Sequence, residues 1–171
     1  VFMNWQIAID GPAGAGKSTI AKILAKKLNF EYLDTGAMYR AATVKALRLG
    51  IDLNDESKYD FILDTTIDFR NGEIYLDNEN VNEEIRSLEV TNNVSVVSAV
   101  KEVRSEMVRI QRELAKGKNV IMEGRDIGTT VFPDADVKIF LECSAEERAI
   151  RRVKQNAENG IETSYEEVLE S

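Results

Sequence analysis

The sequence predicts an α/β fold: a mostly parallel sheet with helices on both faces, plus one small antiparallel insertion. Three observations carry this. Short apolar runs at 5–10, 32–34, 120–122 and 137–141 read as buried strands and alternate with helical patterns. A glycine-rich turn separates the first strand from the first helix. A hairpin pattern, Ile67-Asp-Phe-Arg70 and Glu73-Ile-Tyr-Leu76 around Asn71-Gly72, breaks the alternation.

The turn is Gly11-Pro-Ala-Gly-Ala-Gly-Lys17-Ser18, which fits the phosphate-loop pattern G-x-x-x-x-G-K-[ST] in the strand–loop–helix context that pattern requires. Gly11, Pro12, Ala13, Gly14, Ala15, Gly16, Lys17, Ser18 and Thr19 are the candidate nucleotide-binding residues. Glycines let backbone N–H groups turn inward around phosphate oxygens, and the helix that follows offers unsatisfied N–H groups. Lys17 is placed to reach the β- and γ-phosphates, and the Ser18 hydroxyl to ligate Mg²⁺. The first helix, over 19–28, carries Ile20, Ile23, Leu24 and Leu28 on one face.

Thr35 reads as the N-cap of a second helix over 36–49, with Gly50 as its stop. Arg40, one turn into it, is either a solvated helix arginine or a fork for phosphate. Asp55 is a cap for a short helix through 63. The hairpin follows, then a turn at 77–80, a third short strand at Val81, and a helical turn after Asn82-Glu83-Glu84. The insertion is placed at 65–95, between core segments 1–64 and 96–171. A long helix is expected over 100–116, with Val103, Met107, Ile110 and Leu114 as its core stripe and Arg104, Arg109 and Arg112 off it. Glu123 ends the third strand, as part of a magnesium shell or an ion pair with Arg125 or Lys17. Ser144-Ala-Glu-Glu147 opens another helix as a capping box, with Arg148, Arg151 and Arg152 on one face, and Ser164-Tyr-Glu-Glu167 repeats that pattern.

The net charge of −8 argues against a nucleic-acid coat or an anionic membrane as partner. The absence of histidine excludes imidazole acid–base chemistry and histidine metal ligands. Cys143 is the only cysteine, more in keeping with a core residue than a nucleophile, and rules out an internal disulfide. No apolar run approaches the roughly 20 residues of a membrane span, and no signal peptide precedes the first strand. A cytoplasmic setting is the simplest expectation.

Ligands of open α/β sheets bind beyond the strand C-termini. The phosphate loop, Asp34-Thr35, residues 123–126 and the segment after Leu141 all fall there. No Asn-Lys-x-Asp base-reading motif and no Leu-Ser-Gly-Gly-Gln-like signature is present, which argues against a guanine-nucleotide switch and a transporter ATPase. The arginines suit a small-molecule kinase, because phosphoryl transfer is mostly positioning plus charge neutralisation. The segment 148–160 suits a lid that excludes water. Another P-loop small-molecule kinase, or a nucleotide-binding switch or assembly module without a second substrate, remain the alternatives.

The phosphate loop, Leu33-Asp-Thr-Gly-Ala-Met-Tyr-Arg40, Glu123-Gly-Arg-Asp-Ile-Gly-Thr129 and Val131-Phe-Pro-Asp-Ala-Asp-Val-Lys-Ile-Phe-Leu141 together resemble the bacterial cytidylate kinases. The resemblance implies the P-loop nucleoside-monophosphate-kinase fold, ATP and Mg²⁺ as cofactors, and CMP or dCMP as substrate; a monomer is the expectation. It implies that Thr35, Arg40 and Arg125 hold the CMP phosphate, while Ser95, Arg104 and Asp126 read cytosine. Read without the family, Ser95 is a cap or loop residue and Arg104 a solvated helix residue. Lys17, Arg125, Arg148 and Arg152 are the candidate catalytic residues, and Ser18 and Glu123 the candidate metal-side residues. The family pattern continues past residue 171, with a fifth strand beside 137–141 and the returning half of the lid. A chain ending at residue 171 is therefore expected to bind CMP weakly.

Overall fold

A computed structural model describes residues 4–12, 14–142, 150, 152–155 and 157. Its centre is a four-stranded parallel sheet in the order β2-β6-β1-β7, from β1 (Gln6–Asp10), β2 (Glu31–Asp34), β6 (Val120–Gly124) and β7 (Val137–Phe140). Its four strands are those expected from the sequence. In the register Ile9 lies beside Glu123, Asp10 beside Gly124 and Asp34 beside Glu123. The C-terminal ends of the three strands thus form one rim.

Helix α1 (Lys17–Leu28) covers one face. There Ile7, Ile9, Ala21, Ala25 and Ile121 form a core that Leu24, Phe30, Tyr32 and Ile139 flank. The expected stripe is corrected: α1 buries Ala21 and Ala25, while Ile20, Ile23 and Leu28 are exposed. The phosphate loop fixes the rotation of the helix, and two alanines let its backbone approach the sheet closely.

On the opposite face, Ala8, Leu33, Val120 and Met122 pack with Ile127, Val131, Phe132 and Ala115. Beyond them, α2 (Thr35–Leu49), α3 (Leu88–Ser98) and α4 (Lys101–Ala115) share a second core with the 3₁₀ segment Glu56–Asp64 and the insertion. The α4 stripe is as expected: Val103, Met107 and Ile110 are buried and Leu114 partly so. Arg112, off that stripe, donates from Nε to the Val131 carbonyl at 3.0 Å and from Nη2 to that of Thr130 at 2.9 Å.

The insertion is an antiparallel sheet of β3 (Ile67–Arg70), β4 (Glu73–Leu76) and β5 (Glu79–Asn80). Asn71 and Gly72 both have positive φ, at 55° and 78°, as the hairpin pattern requires. Asp77 and Asn78 also do, at 48° and 68°, making a second tight turn. The third strand therefore falls on Glu79–Asn80 and not on Val81, whose N–H still bonds the Ile74 carbonyl at 3.1 Å. The helical turn after it is Glu84–Arg86.

Two further corrections concern helices. Asp34, not Thr35, caps α2, its side chain accepting from the Ala37 N–H at 3.3 Å. Helix α3 was not expected, and the limit placed on the insertion at 95 falls inside it. Its β-branched residues, Asn and Ser are weak helix formers. The Ser87 cap on the Val90 N–H and burial of Val90 and Val97 outweigh them. Among the described residues no helix is long and apolar enough to cross a membrane.

Candidate functional site

The phosphate loop leaves β1 at Gly11, whose φ of +147° is in a range L side chains rarely adopt. A Cβ there would lie 2.4 Å from the Leu141 carbonyl oxygen, so glycine is also needed for the close approach of the chain after β7. Gly16, at φ 89°, precedes α1 with no side-chain cap, which leaves the first helical N–H groups facing the loop. Lys17 folds back across the loop, its Nζ donating to the Gly11 carbonyl at 2.6 Å. Burial pushes Lys17 down and the nearby Arg125 adds to this, while Glu123, Asp34 and Asp10 oppose it.

Glu123 is 3% exposed. Its Oε1 accepts from Ser18 Oγ at 2.7 Å and from the Tyr32 hydroxyl. Among the described residues no ion pair joins it to Lys17 or Arg125, so the ion-pair reading gives way to this hydroxyl cluster. Asp34 stands beside it in register, pushed up by burial and by the Glu123 charge. Two hard oxygen donors, Ser18 Oγ and the Glu123 carboxylate, thus meet at the start of α1. They suit Mg²⁺, which takes few protein oxygens and completes its shell with phosphate and water. No group of three or more carboxylates or cysteines forms a metal cage among the described residues.

Next to this cluster, the segment after β6 is clamped by a residue that sequence reasoning missed. Asp10 is buried, and its carboxylate accepts from the Ile127 N–H and the Gly128 N–H, each at 2.7 Å. That fixes the chain immediately after Arg125 and Asp126. A carboxylate ending a buried strand just before the phosphate loop was the available signal. Thr35 is also buried, donating from Oγ1 to the Glu123 carbonyl at 2.8 Å. A Cβ on Gly124 would lie 2.5 Å from that Oγ1, so a side chain at Gly124 would push α2 off the rim.

Two of the three residues expected at the base, Arg104 and Asp126, lie together. Arg104 Nη2 lies 3.2 Å from Asp126 Oδ2, although 22 residues separate them in sequence, and both side chains are well exposed, at 55% and 38%. Tyr39 is pushed up by burial and by Asp126, with Arg104 opposing. Ser95 lies exposed on α3. Arg40 donates from Nη1 to the Ile85 carbonyl and to Thr91 Oγ1, both at 3.0 Å, tying α2 to the turn before α3 and to α3 itself. Burial and the charge of Arg152 push Arg40 down. Arg125 and Arg152 are exposed. Ala13, Cys143, Arg148, Arg151 and both capping boxes after 143 lie outside the described residues.

A phosphate loop at the C-terminal end of a central parallel strand, with helices on both faces of the sheet, is the architecture of the P-loop nucleotide-binding proteins. The family model for cytidylate kinase matches residues 7–171, and the chain belongs to that family. The cytidylate kinase of Clostridioides difficile is 57% identical over 168 residues, covering 98% of this chain and 78% of that protein. That of Leuconostoc mesenteroides is also 57% identical, covering 95% of this chain and 75% of its own length. That of Caldanaerobacter subterraneus is 55% identical over 171 residues, at 99% and 76%. Among solved structures, TT1252 from Thermus thermophilus matches with a TM-score of 0.52 at 20% identity, over 98% of this chain and 78% of that one, a likeness of fold.

Proposed function

We infer that the chain transfers the γ-phosphate of ATP to CMP, and also to dCMP. Beyond the family membership, the observation that favours this substrate is the Arg104–Asp126 pair on the rim that carries the phosphate loop. A carboxylate accepts from an exocyclic amine and a guanidinium donates to a ring nitrogen and carbonyl, which together describe cytosine. A switch or assembly module would not need that pair.

The roles follow from the chemistry of each group. The loop N–H groups and Lys17 hold the donor phosphates, with Lys17 exchanging the Gly11 carbonyl for phosphate oxygen. Arg40 and Arg125 hold the acceptor phosphate, with Thr35 exchanging the Glu123 carbonyl for phosphate oxygen; Ser95, Arg104 and Asp126 hold the base; Arg148 and Arg152 are assigned to neutralising charge on the transferring phosphate. Ser18 and Glu123 form the Mg²⁺ side. Bound there, Mg²⁺ neutralises charge on the transferring phosphates. An acceptor phosphate oxygen forms a bond to the γ-phosphorus as the bridging β–γ P–O bond breaks, and its electron pair leaves on ADP. The acceptor is already ionised at neutral pH, so no general base is required. The proposed working form is a cytoplasmic monomer, which sedimentation would check.

The test is ADP production with CMP, dCMP, UMP and AMP, against ATP alone, for the native chain and Asp126→Ala. CMP and dCMP should lead. The variant leaves the cytosine amine unpaired, at a cost of about 1–3 kcal/mol, or roughly 5- to 150-fold in kcat/KM for CMP. It should also lose discrimination against UMP. An unchanged CMP/UMP preference would remove Asp126 from the base site.

A further inference from the structure

The buried Glu123 carboxylate has two hydroxyl donors, and they differ in kind. Ser18 Oγ, 2.7 Å away, is a freely turning hydroxyl at the start of α1. The other donor is the Tyr32 phenol. In the β2–β6 register Tyr32 lies beside Ile121 and Asp34 beside Glu123, so Tyr32 and Glu123 stand on the same face of the sheet, two positions apart. That is about 6.6 Å along the strand, within reach of a tyrosine lying along it. The ring is packed against the Ile7, Ile9, Ala21, Ala25 and Ile121 core, with Lys22 Nζ 5.9 Å from its centroid. A tyrosine phenol is protonated at neutral pH and so serves as the donor.

The proposed metal role of Ser18 turns its oxygen toward the ion. A buried carboxylate that loses one of its donors needs the other. We propose that Tyr32 is a positioning residue for the phosphoryl-transfer site, its phenol O–H holding the Glu123 carboxylate toward Ser18 and so setting the affinity for Mg²⁺ in the nucleotide complex. This rests on reading Ser18 and Glu123 as the metal side. A carboxylate held by an outer hydrogen bond binds metal more tightly because it does not have to be ordered when the ion arrives.

The experiment compares wild type, Tyr32→Phe and Glu123→Gln in the whole chain. Mn²⁺ is titrated into each protein saturated with ADP, and free Mn²⁺ is counted by its paramagnetic resonance signal. Tyr32→Phe should weaken Mn²⁺ binding by about 10-fold, the lower end for lost outer hydrogen bonds. ADP affinity in EDTA and KM for CMP should stay at wild-type values. Lost kcat should return as Mg²⁺ is raised. A merely structural tyrosine would lower the melting temperature and ADP affinity with or without metal and leave the Mn²⁺ affinity alone, and that result overturns the proposal. If Glu123→Gln weakens Mn²⁺ binding and Tyr32→Phe does not, the tyrosine's role fails while the metal reading stands. If neither variant does, the metal reading fails and the tyrosine's role with it.

Discussion

On the rim of the parallel sheet, burial pushes Lys17 down, and burial with the Glu123 charge pushes Asp34 up. In the insertion the shifts have the opposite sign. The hydrogen bonds that Arg48, on α2, donates to Glu79 and Glu84 push it up, and Arg48 in turn pulls Glu79 down. Burial raises Asp77, but its bonds to Lys45 and to the Thr66 N–H outweigh this and leave it lowered. Arg48 Nη1 lies 2.7 Å from Glu79 Oε2 while its Nη2 binds Glu84, and Lys45 Nζ lies 2.7 Å from Asp77 Oδ2. The insertion uses exposed charges to dock on α2. The rim holds charges in a setting that disfavours them, as sites that await an oppositely charged ligand do. Charge in the insertion serves placement on α2, whereas charge at the rim is left for the proposed ligands.

Removing Lys17 should sharpen this contrast most. Lys17→Ala should lower kcat about 10²–10³-fold, the range for loss of one preorganised charge-stabilising group. Its melting temperature should not fall, because burial already disfavours the charge. Near-normal turnover by the folded variant would remove the phosphate-loop assignment; a large drop in melting temperature would break the comparison.

Asp10 is the rim carboxylate that clamps the segment after β6, so its loss should behave differently. Asp10→Asn keeps one acceptor but turns an NH₂ toward a backbone N–H. An unsatisfied buried group costs about 1–3 kcal/mol, which a urea melt would read directly. KM for CMP should rise with it, since Arg125 and Asp126 adjoin the clamped N–H groups. Wild-type stability would show that the two N–H groups find other acceptors.

Arg48→Ala should cost less, because exposed pairs contribute little even when two carboxylates share one guanidinium. A melting-temperature loss of about 2–4 °C at low salt, shrinking at high salt, is expected. Turnover at saturating CMP should change by less than about twofold. A collapse of activity would show that docking of the insertion limits catalysis.

The smallest effect concerns pH. The folded pKa of Asp77 lies below its ordinary value of 3.8. Its contribution to stability is therefore present above that value and lost as pH falls through the folded pKa. Melting curves of wild type and Asp77→Asn should differ at neutral pH and converge as pH falls through the folded pKa, below 3.8. A constant difference across the range would mean that the carboxylate acts through packing alone.

Much of this was legible locally. The phosphate loop, the Asn71-Gly72 hairpin, the Gly50 stop and the stripe of α4 depend on residues within a turn or two of each other, where backbone sterics and periodicity act. The motif blocks around Asp34–Arg40 and Glu123–Thr129 pointed to the family, whose model matches the chain. The face that α1 buries was misread, because the loop and the sheet set its rotation rather than its own apolar residues. Helix α3 was missed because its propensity is poor and its stability comes from packing against α2 and α4. Thr35 looked like a cap until Asp34 took that role and released its hydroxyl to the Glu123 carbonyl.

By itself, then, the sequence determined the phosphate loop, the strands, the hairpin and the family. Tertiary structure alone decided that Asp10 grips the segment after β6, that Arg104 meets Asp126, and that Tyr32 reaches Glu123. Each of those contacts joins residues 22 to 118 positions apart. Local sterics carry no information over such separations; strand order and register do, and they emerge only when the faces of the sheet are buried.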